Sequence, residues 1–122
     1  MTLEIILDGE KHAYAPGKNI SGRMRWNFET NPQWIEIRLF WFTEGKGTQD
    51  LSVVDKHRLT DCTMRGERPF SFLAPAFPPS CSGKLVSIRW ALEMVSDVQE
   101  PIPCINIVIA PNAEEIVLGT AT

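Results

Sequence analysis

Side chains able to do covalent or metal chemistry are few and scattered in this 122-residue sequence: His12, His57, Cys62, Cys81 and Cys104. Hydrolysis or group transfer needs a nucleophile beside a base and an oxyanion donor, or a metal set. No H-x-x-x-H, H-E-x-x-H or G-x-S-x-G pattern occurs. Glu44-Gly45-Lys46-Gly47-Thr48 comes nearest to a phosphate loop, but it lacks the spacing and the following helix, and it reads as a hairpin tip. Cys81, between Ser80 and Ser82, could lie exposed in a proline-rich turn. A reactive thiol needs a nearby cation, and Lys84 is the only one close in sequence. The cysteines are odd in number and widely spaced, with no CxxC pair, so three reduced, partly buried thiols are expected, with a single bridge left open. A Cys/His zinc or copper site would need long-range convergence that no spacing supports. The residues predict no catalytic group, no metal and no cofactor; the chain is not expected to be an enzyme.

Composition narrows the remaining classes. The apolar fraction of 43% and charged fraction of 22% are those of an ordinary globular chain, and one domain spanning 1–122 is expected. A net charge of −3 argues against nucleic acid, whose phosphates need a dense basic face; Arg23, Arg25, Lys56, Arg58, Arg65 and Arg68 are interrupted by acids. The opening MTLEIILDGEK has neither a basic leader region nor a long apolar run, and no stretch reaches the roughly 20 apolar residues of a membrane span. No transmembrane segment and a cytoplasmic location are therefore expected.

The elements that position these residues read as strands. Leu3, Ile5 and Leu7 alternate up to the turn signal Asp8-Gly9, and Pro16-Gly17 suits the centre of a type II turn. Ile20, Gly22, Met24, Trp26 and Phe28 then share a face, with Gly22 predicting a bulge or a close backbone approach. In the third strand, Trp34 to Thr43, Ile35, Ile37, Leu39 and Trp41 form one face. Trp34, Glu36, Arg38, Phe40 and Phe42 form the other, which turns from charged to aromatic. A fourth strand spans Leu51 to Leu59 with weaker alternation and room to continue through Asp61–Met64, before Arg65–Arg68 turns the chain. Phe70 to Met94 holds a short aromatic strand, a turn at Pro75, Pro78 and Pro79, and an alternating strand with Val86, Ile88, Trp90, Leu92 and Met94 on its core face. Ile105, Ile107 and Ile109 make a last strong strand, and Glu115–Leu118 a short edge. No segment keeps a helical period, so the fold expected is an all-β antiparallel, immunoglobulin-like sandwich of about seven or eight strands.

Three pieces resemble the arrestin-like fold family. Tyr14-Ala15-Pro16-Gly17 with Ile20 and Gly22 is similar to that family's opening motif, and WIEIRLFW to its third strand. Phe70, Phe72, Pro75, Pro79, Ser80, Gly83, Ile88, Trp90 and Leu92 take the positions of its F-x-F, proline turn and following strand. Together they cover residues 3 to 110. The resemblance implies one sandwich of the type of the arrestin N-terminal lobe and an adaptor-type role, related to trafficking and sporulation-control proteins. The second lobe and the receptor-activated switch have no counterpart in this length, and Trp90 stands where a tyrosine is usual.

A protein–protein interaction module fits these readings, acting on a partner chain or by self-association through an open strand edge. The candidate partner-binding residues are Phe40 and Phe42, Phe77 in the proline loop, and Trp34. Against this stands a purely structural reading, in which Phe40 and Phe42 close one end of the core and Phe77 plugs its turn. The alternative class is a small-ligand or carbohydrate-binding sandwich that stacks its ligand on Trp26, Trp34, Trp41 or Trp90; the first, third and fourth of these lie on expected core faces.

Overall fold

The computed structural model describes residues 2–45, 49–83, 85–98 and 103–117. The expected tip residues Lys46–Thr48, Lys84 beside the proline turn, the loop at Glu100 and Pro101, and the tail from Leu118 lie outside the described residues. The strands are β1 (Thr2–Leu7), β2 (Ala13–Tyr14), β3 (Asn19–Asn27), β4 (Trp34–Gly45), β5 (Leu51–Thr60), β6 (Arg65–Leu73), β7 (Cys81–Ser82), β8 (Val86–Ser96), β9 (Cys104–Ile109) and β10 (Ile116–Val117). Seven of them have six residues or more, and the other three are two-residue pairings.

Two sheets face each other. The smaller runs β1-β3-β6, antiparallel throughout. The larger runs β5-β4-β8, after which β7 pairs with the start of β8 and β9 with its middle; β10 and β2 add short parallel pairings to β7 and β9. Every long pairing is antiparallel, as the alternating sequence requires. Ile20, Met24, Trp26, Phe70 and Phe72 from the small sheet, with Phe28 just past the end of β3, meet Ile35, Ile37, Leu39, Trp90, Leu92 and Met94 from the large one in a continuous buried core. This is the sandwich the sequence predicts.

The turn chemistry follows the sequence closely. The Lys18 amide donates to the Ala15 carbonyl at 3.2 Å around Pro16 and Gly17, with Gly17 at φ +84°. Gly22 marks a close approach and not a bulge: a Cβ there would lie 2.2 Å from the Ile6 carbonyl oxygen, and the β3 register runs unbroken. The buried Ser80 explains the proline-proline-serine motif. Its hydroxyl accepts from the Ile109 amide at 2.9 Å, and its own amide donates to the Ile109 carbonyl at 2.7 Å. Trp90 Nε1 donates to the Pro78 carbonyl at 2.7 Å, tying the loop to the core.

Three expectations need correction. Asp61–Met64 does not prolong β5; the chain turns at Asp61, whose φ is +55°, and Arg65 already begins β6. Val86 is exposed and Ile88 only half-buried, because the start of β8 pairs with the projecting end of the β4 hairpin, beyond the small sheet. Cys81 is buried, since β7 is held between β8 and β10.

Candidate functional site

The outer face of β4 divides into two halves, as its charged-to-aromatic sequence anticipates. At the N-terminal half, Glu36 is fully buried (0% exposed) although it points away from the core. Arg38 hydrogen-bonds one carboxylate oxygen, Arg58 from β5 donates to the other at 3.0 Å, and Arg38 also reaches Glu93 on β8 at 3.4 Å. Arg58 in turn lies over the Trp34 ring at 4.3 Å, a cation–π contact. Burial alone would raise the Glu36 pKa, but the hydrogen bonds and charges of Arg38 and Arg58 outweigh it and hold the carboxyl below the usual range. The same contact with Glu36 holds Arg38 up against its own desolvation.

At the C-terminal half, Phe40 and Phe42 pack with ring centroids 5.8 Å apart. With Thr43, Gln49, Asp50, Leu51 and Cys104 they line a shallow concavity of about 420 Å³. Phe40 forms its buried floor, Phe42 is half-buried, and Leu51 is 65% exposed. The aromatic end of β4 is thus partly covered, by Thr43, Gln49 and Asp50, by Leu51 of β5 and by Cys104 of β9. Burial and the Glu93 carboxylate push the Cys104 thiol up, so it is a poor nucleophile at neutral pH; burial does the same to Cys62.

β5 is an open edge: among the described residues it pairs only with β4. A bulge places Val53 and Val54 together opposite Phe40, and both are exposed. The inner side of the edge is closed by His57, whose ring stacks on Phe72 at 4.6 Å and whose Nε2 donates to the Ser71 carbonyl at 2.9 Å.

Of the four residues singled out from sequence, Phe40 and Phe42 come together. Trp34 stands eight positions before Phe42 on the same strand, roughly 26 Å away at about 3.3 Å per residue, and its ring is occupied by Arg58. Phe77 is 79% exposed on the proline loop and does not plug its turn. Leu51, Val53, Val54 and Lys56 were missed, although alternation across the hairpin from Phe40 and Phe42 points to Leu51 and Val53. The tryptophans offer no bare platform: Trp26 and Trp90 are buried and Trp41 packs against the core. Five arginines, at 23, 25, 38, 58 and 89, are paired with carboxylates.

No known family profile and no curated protein matches this chain. Among solved structures it is similar to Spo0M, a sporulation control protein from Bacillus subtilis, at 20% identity with a TM-score of 0.66, over 89% of this chain and 49% of that one. The chain thus spans about half the length of that protein. At this identity the likeness shows the fold alone, and the chain is an all-β sandwich of the arrestin-like type read from its sequence.

Proposed function

We propose that this chain is a non-catalytic binding module, one arrestin-like lobe working in the cytoplasm, that docks a protein partner along β5 and the outer face beside it. One observation carries the reading: the apolar concavity lined by Phe40 and Phe42 includes Leu51 of β5, a strand whose other edge is unpaired among the described residues and on which Val53 and Val54 are also exposed. Unpaired backbone groups beside an apolar pocket are what β-augmentation uses, the ladder giving affinity and the pocket specificity. The likeness to a sporulation control protein supports the fold on which this reading rests. Chemistry has little support here, because the outer-face carboxylates are held by arginines and the Cys62 and Cys104 thiols are pushed up.

The test is affinity capture from a native extract with the wild-type chain, Leu51→Asp and Phe77→Asp. Leu51 is exposed, so its substitution leaves the fold intact. Loss of a captured protein with Leu51→Asp but not with Phe77→Asp is expected. Identical captured sets from all three chains count against the reading.

A further inference from the structure

The outer side of β5 presents an ordered chemical pattern that names the kind of strand it fits. Reading along the edge, Leu51 and the bulged pair Val53 and Val54 are apolar, followed by Lys56 and Arg58. Arg58 is spent on Glu36 and Trp34. Lys56 is different: it makes no ion pair among the described residues, and its cross-strand neighbour is Arg38. Like charges directly opposite each other on two strands are destabilising. Arg38 is compensated by Glu36 and Glu93, so Lys56 is the positive position at the open edge that a carboxylate on a further strand would neutralise.

A second copy of this chain fits poorly in the registers centred on the charged half of β5. Two β5 strands related by a two-fold axis perpendicular to the sheet keep their faces, so any residue at the centre meets itself. Centring on Asp55 or Lys56 sets like charge on like charge, and centring on His57 sets Lys56 on Arg58. A different partner avoids this conflict.

Resting on the binding-module reading, we propose that β5 is extended by an antiparallel strand of another protein whose outer-facing residues run acidic, apolar, apolar. The acid lies opposite Lys56, and the apolar side chains lie over Val53–Val54 and Leu51 beside the Phe42 concavity. Antiparallel addition forms the better hydrogen-bond ladder and fixes this order from the partner's N-terminal side. His57, held on Phe72 and Ser71, closes the inner side, so the partner's alternate residues overhang into water and carry no requirement.

The probe is a fluorescein-labelled peptide with glutamate, valine and leucine at alternate positions and serine or threonine between them, titrated by anisotropy against the intact chain. Saturable binding is expected. Lys56→Glu, an exposed change, should weaken it at least tenfold, and a peptide with lysine for glutamate should recover binding on that variant. N-methylation of the amides facing β5 should abolish binding, whereas methylation of the opposite amides should not. Binding that ignores either Lys56→Glu or the methylation pattern overturns the proposal. So does a dimer seen by light scattering that Lys56→Glu dissociates, which would make a second copy the occupant. The two failures separate: no peptide binding with partner capture still dependent on Leu51 removes only the partner's chemistry, and loss of both removes the binding module.

Discussion

Replacing Glu36 by glutamine tests the ion-pair network that organises half of the outer face. The substitution keeps volume and one acceptor but removes the charge that Arg38 and Arg58 share. Deleting one member of a fully buried ion pair costs about 3–5 kcal/mol, because the other charge is left without compensation. Here only Glu36 is buried; the Arg38 and Arg58 side chains are 31% and 48% exposed. Water can rehydrate both guanidinium groups, Arg38 keeps Glu93, and Arg58 keeps the Trp34 ring. A loss of about 1–2 kcal/mol at pH 7 follows, around the lower end for hydrogen bonds to charged groups because both guanidinium groups stay hydrated. The pH dependence supplies the sharper check. The folded-state pKa of Glu36 is depressed, so its contribution is full above the unfolded value of about 4.3 and is lost as pH falls through the lower folded value. Urea unfolding of wild type and Glu36→Gln should show the full gap at pH 7 and a shrinking gap below about pH 4. A gap that is constant with pH, or that widens in acid, would refute the assignment of this carboxylate as the charged hub of the network.

Two further substitutions probe the frame that holds the sheets. Ser80→Ala leaves the buried Ile109 amide without its acceptor and should cost about 1–3 kcal/mol in a denaturant midpoint; a change below about 0.5 kcal/mol would mean that water replaces the hydroxyl. Gly22→Ala drives a methyl against the Ile6 carbonyl oxygen and the Phe70 ring. It should lose about 3 kcal/mol or more, at the upper end for overpacking because a strand backbone cannot yield as a side chain can. A near-neutral result would show that β1 is free to move away from β3.

The faces of the long strands were legible because a strand's period of two sorts residues without knowledge of neighbours. Ile20 to Phe28 and Ile35 to Leu39 went to the core as their alternation requires. Glu36 was not legible as a buried group: its partner Arg58 lies on β5, 22 residues further along, and alternation says which way a side chain points, not what lies over it. Val54 was hidden by the same limit, since a bulge in β5 is fixed by its register with β4. The candidate site falls mostly on this illegible side. Phe40 and Phe42 stood out as aromatic residues on a face that begins charged, but whether they are a sealed floor or an open pocket depends on which strand lies next to β4. That strand is β5, and nothing among the described residues lies beyond it. A residue such as Lys56 looks like an ordinary solvated charge in sequence. It gains meaning only when Arg38 is set opposite it on the neighbouring strand and, among the described residues, the other flank of β5 is empty. Binding at a sheet edge is written in strand order and register, the two properties least visible in a single chain of residues. For a fold whose reactive side chains are few and scattered, the physical search for function therefore begins at the strands that end a sheet, and among β1, β5 and β6 only β5 borders the Phe40–Phe42 concavity.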